Sequence, residues 1–204
     1  MADGLCYVFC SYLSIFHEGD RNYIEMKPQD ILDFWFEELT AKQHFVKDAA
    51  LDALIRTRFG NTLEAAARCE LWDWRKSAEG RLAEIVVLDQ FSRNIYRDMP
   101  RAFAQDALAL ILAQELVACG EDQRLPVAQR VFAYMPYMHS ESALVHVQAV
   151  ALFSKLGQED NLSFELRHQA IIDRFGRYPH RNAILGRTSS AQELAFLREP
   201  GSSF

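Results

Sequence analysis

Ser77-Ala-Glu-Gly-Arg-Leu-Ala-Glu-Ile-Val-Val-Leu-Asp-Gln-Phe-Ser-Arg-Asn-Ile95 is the stretch that decides the fold class. Leu82, Ile85, Val86, Leu88 and Phe91 recur at helical spacing, which gives one strongly apolar face. The same stretch carries a polar cluster near its end. Asp89 and Arg93 are four apart, as are Arg93 and Arg97, so the three stack on one helix face. The plain reading is an intrahelical ion pair worth a few tenths of a kcal/mol. Gln90 and Asn94 beside the pair argue for more. A polar cluster closing so apolar a helix must face solvent, a cleft or a partner.

Outward from this stretch the same period repeats. Towards the N-terminus, helices are expected over 28–39 and 42–59, with Gly60 as a stop. Asn61-Thr-Leu-Glu64 reads as a cap opening a short helix to about Leu71. Trp72 and Trp74 then read as plugs of the core. Towards the C-terminus, helices are expected over 98–119, over 126–136, and from His139 or Ser140 to Leu156. Another ends at Gly176, and a last one runs over 190–198, opened by the capping box Ser190-Ala-Gln-Glu193. No strand-like alternation of useful length occurs. The expectation is an all-α fold of about eight or nine helices in antiparallel pairs.

The 204 residues suit one core, and half of them are hydrophobic. Residues 26–204 read as a single helical domain and 1–25 as a variable N-terminal extension. Leu5–Phe16 is apolar but lacks the basic flank and small-residue cleavage site of a signal peptide. No run is long enough for a membrane span. Cys6, Cys10, Cys69 and Cys119 form no Cys-x-x-Cys pair and read as reduced thiols of a cytoplasmic protein. The net charge of -6 disfavours a nucleic-acid partner.

Against that acidic total, Ile172-Asp-Arg-Phe-Gly-Arg-Tyr-Pro-His-Arg-Asn-Ala-Ile-Leu-Gly-Arg187 is basic, with no acid between Asp173 and Glu193. Gly176 stops the helix and Pro179 keeps it from resuming. Arg177, His180, Arg181, Asn182 and Arg187 therefore fall in one turn-forming segment. Arginine offers a planar fork that fits carboxylate or phosphate. Such a segment either holds an anion or pairs with carboxylates from neighbouring helices. A second polar spot, His139-Ser-Glu141, lies at a helix start, where free N–H groups favour an anion. Glu165-x-x-His168 is a metal-type spacing present once, so neither metal nor cofactor is expected.

Leu88-Asp-Gln-Phe-Ser-Arg-Asn94, Pro136-x-x-His-Ser-Glu141 and Phe175-Gly-Arg-Tyr-Pro-His-Arg-Asn-x-x-Leu-Gly-Arg187 together resemble an uncharacterised bacterial family, domain of unknown function 924. Asp33-Phe-Trp-Phe36 and Phe103-x-x-Asp106 fit the same pattern. The resemblance covers roughly 28–198. It implies a helical fold related to tetratricopeptide repeats and brings no activity with it. It implies signature positions at Asp89, Gln90, Arg93, Asn94, His139, Ser140, Glu141, Arg177, His180, Arg181, Asn182 and Arg187. Relatives often carry glutamine where His146 stands, which counts against a catalytic role for His146.

The expected function is binding of an anionic small molecule or acidic peptide in a pocket or groove lined by arginine, histidine and asparagine. Its alternative is an enzyme on a small anionic substrate, with His139 and His180 as general acid and base. Geometry decides between them and a purely structural network. The test is whether Arg93, His139 and Arg181 converge, and whether carboxylates already neutralise them.

Overall fold

A computed structural model of the protein describes residues 26–202, so the proposed extension 1–25, with Cys6 and Cys10, lies outside the described residues. All regular structure among them is helical. The centre is α3 (Ala78–Val86), in which Leu82, Ala83, Ile85 and Val86 are fully buried. Ser77 caps it through Gly80 N–H at 3.0 Å. Glu84 is buried in the same helix, and Arg75 neutralises it with two bonds of 2.7 Å. That pairing is what makes a carboxylate tolerable at the centre of the core.

Around α3 pack α1 (Pro28–Asp33), α5 (Asp106–Ala118) and α6 (Val127–Met138). The first layer is aromatic. Phe59 of α2 (Ala49–Ala67) lies 4.8 Å from Phe34 and 4.9 Å from Phe91, centroid to centroid. From α5 onward, consecutive helices pack on one another: α5 on α6, α6 on α7 (Ala143–Leu156), and α7 on α8 (Glu159–Phe175). A second small core of Ile171, Ile172 and Tyr178, with Phe175 and Phe196, seats the C-terminal segment and α9 (Ala191–Phe196). The Ser190–Glu193 capping box forms as expected.

Several expectations about element ends and core packing are corrected. Gly60 and Asn61 lie inside α2, which starts at Asp48 as cap rather than near Lys42. A helical glycine costs about 1 kcal/mol, and burying Phe59 and Leu63 on the same helix outweighs that. Pro136 does not end α6, because burial of Tyr137 and Met138 carries the helix through it. The helix expected to open at Asp98 begins at Asp106, after a 3₁₀ turn over Pro100–Phe103. Trp72 is 63% exposed rather than a core plug, whereas Trp74 does pack on the core.

Two π-helical turns interrupt the helices, over Phe34–Glu38 and Val87–Phe91. The second joins α3 to α4 (Ser92–Ile95) without a break in the rod. Such turns insert one residue and rotate the rest of the helix, and they concentrate at functional sites.

Candidate functional site

Asp89 stands four residues after Ile85 and three after Val86, on the buried face of the helix, and the π turn holds it there. A fully buried carboxylate must be compensated. Its Oδ1 takes His139 Nδ1 at 2.8 Å and Arg93 Nη1 at 3.0 Å, while Oδ2 takes Gln90 Nε2 at 2.5 Å. Burial raises the Asp89 pKa, but the Arg93 charge, with the hydrogen bonds from His139 and Gln90, outweighs this and holds the carboxyl well below the usual range. Arg93 Nη1 also donates to the Asp89 carbonyl at 2.6 Å.

His139 follows the last residue of α6, and burial and then Arg93 push its pKa down. The ring is therefore neutral near pH 7. With Asp89 ionised, Nδ1 carries the hydrogen and donates it, so Nε2 holds a lone pair. Nε2 makes no hydrogen bond among the described residues, and the side chain is 17% exposed. This is a base oriented by a buried acid, an arrangement that can accept a proton or a hydrogen bond.

Arg181 comes from the C-terminal segment. Its Nη2 donates to the His139 carbonyl at 3.1 Å and its Nη1 to Asp106 Oδ2 at 3.1 Å. The guanidinium lies between Phe103 and Tyr178, 4.6 Å from each ring centroid. Arg93 reaches the same Asp106, with Nη2 at 3.1 Å from Oδ1 and 3.2 Å from Oδ2. Arg93, His139 and Arg181 thus converge from three distant parts of the chain. The sequence reading missed Asp106, Phe103 and Tyr178 as site members. The Phe103-x-x-Asp106 pair was the available signal.

The other arginines have carboxylates of their own. Arg187 pairs with Glu141 at 2.6 and 2.9 Å, and Glu141 also takes the Tyr178 N–H at 2.8 Å. Arg177 pairs with Glu193 at 2.7 and 2.9 Å, which Asn182 Nδ2 joins at 3.2 Å. Asn94 points elsewhere, to Asp52 at 2.8 Å beside Arg97. Ser140 contributes its carbonyl, which takes His146 Nε2 at 2.9 Å. His180 lies against Tyr178, ring centroids 5.5 Å apart, and burial pushes its pKa down to about 4.

Beneath the site is a second proton-sharing pair. His146 Nδ1 meets Glu165 Oε1 at 2.7 Å, with both side chains fully buried, and burial pushes Glu165 up. His146 Nε2 faces a carbonyl, so it carries a hydrogen, and one further proton is shared with Glu165. His168 donates to the Phe164 carbonyl at 2.8 Å. Among the described residues no group of three or more His, Cys, Asp or Glu could hold a metal ion.

The family model described as "Bacterial protein of unknown function (DUF924)" matches residues 31–201. The chain belongs to this family. A solved structure from Agrobacterium tumefaciens, the protein of unknown function ATU0120, is 39% identical to this DUF924 chain with a TM-score of 0.80. The match covers 84% of this chain and 96% of that one. No curated protein matches. Among the described residues no helix is long and apolar enough to cross a membrane.

Proposed function

We propose that this DUF924 chain binds a small anionic compound at the junction of α6 and α7, with His139 Nε2 accepting a hydrogen bond or a proton from it. The observation that carries the reading is the orientation of His139. Asp89 fixes Nδ1, Nε2 is left without a protein partner, and Arg93 and Arg181 stand beside it. Arg177, Asn182 and Arg187 belong to the scaffold in this proposal, because Glu193 and Glu141 occupy them in short bonds. That pairing favours a small molecule over an acidic peptide, since a peptide groove needs a row of uncompensated cations. The same His139 would serve as general base if the compound is a substrate.

Two finer points belong to the same proposal. The succession of α5, α6, α7 and α8, each packed on the next, supports an arrangement in antiparallel pairs like that of tetratricopeptide repeats. The free thiols of Cys69 and Cys119 support a cytoplasmic location.

The test is a thermal-shift screen of small carboxylates and phosphates on the wild type and on His139→Asn. Asparagine can keep the donor to Asp89 but lacks the Nε2 acceptor. A ligand that stabilises the wild type, moves its His139 Nε2 resonance in ¹⁵N NMR and leaves His139→Asn unaffected supports the reading. Anions that act on both proteins alike, without moving that resonance, refute it.

A further inference from the structure

Four carboxylates face arginines around the α6–α7 junction, and one of them is held differently. Asp89 also takes His139 and Gln90. Glu141 also takes the Tyr178 backbone N–H, and Glu193 the Ser190 N–H at 2.6 Å. Asp106 is held by arginines alone. Its contacts to Arg93 and Arg181 measure 3.1–3.2 Å, and neither arginine grips both of its oxygens in a two-bond fork. The forks of Arg187 on Glu141 and Arg177 on Glu193 measure 2.6–2.9 Å. Charge-assisted N–H···O bonds run to about 2.7–2.9 Å when well made, so Asp106 is the loosest anion of the set.

Its position lets it leave. Asp106 is the first residue of α5, and its side chain is 20% exposed. Rotation about χ1 would carry the carboxylate off the arginines without moving the backbone. A carboxylate in the first helical turn stays favourably placed on the helix dipole after such a rotation. It would leave behind two guanidinium groups sharing no anion. Arg181 is already the strained member. It is 6% exposed, its Nε has no partner, and burial and then the Arg93 charge lower its pKa.

We propose that Asp106 is a displaceable internal anion: it fills a two-arginine clamp in the unliganded protein, and the oxyanion of the ligand takes its place. The inference rests on the small-anion reading of the His139 site and adds to it the recognition chemistry and a gate. A ligand carboxylate or phosphate would bridge Arg93 and Arg181 while His139 Nε2 takes a hydrogen bond from a neighbouring donor on the same compound. Expulsion of Asp106 sets the resting affinity low, so that only a compound making both contacts binds well.

The experiment compares wild type with Asp106→Asn and Asp106→Ala, full chains, by titration calorimetry at matched ionic strength. Acetate and inorganic phosphate are the probes, and whichever binds more tightly names the oxyanion class. Expected are binding to the wild type and binding at least about tenfold tighter to the folded variants, with displacement of Asp106 seen as a shift of its ¹³Cγ resonance in the wild type. Equal affinity in wild type and variants overturns the proposal, as does a folded variant that takes up neither anion. No uptake by the wild type overturns it too, since Asp106 is then a permanent partner. If both variants fail to fold, the wild-type ¹³Cγ resonance decides: movement on saturation with acetate or phosphate supports displacement, and none overturns it. Failure of the His139 reading has a different signature, namely anion binding that persists in His139→Asn, and it leaves the Asp106 comparison intact.

Discussion

Lowering the pH from about 8 to about 5 should destabilise this protein well before its carboxylates titrate. His168 and His180 are pushed down to about 3 and about 4, in both cases chiefly by burial. An unfolded histidine titrates near 6.5. Below that value the unfolded chain takes up protons that the folded chain refuses, so stability falls as pH falls through the window from about 6.5 towards about 4. At pH 5 each such histidine costs about 2 kcal/mol relative to pH 8, or about 4 kcal/mol for the two. His139, also lowered, adds to the loss. Glu165 works the other way. Its raised pKa lets the folded state hold a proton that the unfolded state has released, so its contribution grows as pH falls and offsets part of the effect. Asp89 and Glu141, both lowered, lose their stabilisation only below about pH 4, where an ordinary carboxylate protonates.

The assay is urea denaturation at closely spaced pH values. With a slope near 3 kcal/mol per molar urea, the midpoint should drop by about 1.3 M over that range. His168→Asn keeps a donor for the Phe164 carbonyl and removes the titration, so its midpoint should drop about half as far. A wild-type midpoint that stays flat refutes the reasoning. So does an unchanged pH slope in His168→Asn, because the cluster around Tyr178 would then not be the source.

Two further predictions concern the scaffold. In Gly80→Ala the added Cβ would lie 2.0 Å from the Trp74 carbonyl oxygen, which is backbone and cannot yield cheaply. A loss of about 2–3 kcal/mol is expected, whereas Gly60→Ala, mid-helix with nothing within 4 Å of the new Cβ, should gain about 0.5–1 kcal/mol; thermal denaturation of the pair checks both signs. Glu141→Ala strands the N–H of the fully buried Tyr178 and one part-exposed arginine. It should cost about 2–4 kcal/mol in urea melts, with Glu141→Gln milder because one acceptor survives.

The helical fold was legible because period and caps agree along most of the chain. The stretch over 77–95 reads as one rod and is one, with a π turn that no apolar period announces. Three of the misread signals share a cause. Gly60, Asn61 and Pro136 are local stop or start signals worth at most a few kcal/mol, and each sits in a helix whose flanking residues are buried against others. The site was legible as three motifs and not as a charge balance. The run from Asp173 to Glu193 looks unneutralised because its partners lie elsewhere. Arg187 finds Glu141 in the preceding motif, and Arg181 finds Asp106 at the head of α5.

The geometry gives a physical reason for cations in that segment that is independent of any ligand. A helix end leaves its last carbonyls without partners, and its dipole favours positive charge there. At the end of α6, Tyr178 Oη donates to the Met138 carbonyl at 2.5 Å and Arg181 to the His139 carbonyl, while His146 donates to the Ser140 carbonyl. Three consecutive carbonyls are thus satisfied by side chains, two of them from the segment over 172–187. Arginines that meet a carboxylate in a tight fork explain themselves. That account covers Arg177 on Glu193 and the two Nη atoms of Arg187 on Glu141. It covers only part of Arg181, whose Nε stays bare and whose carboxylate is shared with Arg93 at long range. It leaves Nε2 of His139 out altogether. Whatever this protein recognises, Arg181 Nε and His139 Nε2 are among the atoms that packing does not already account for, as are Arg187 Nε and Asn182 Oδ1.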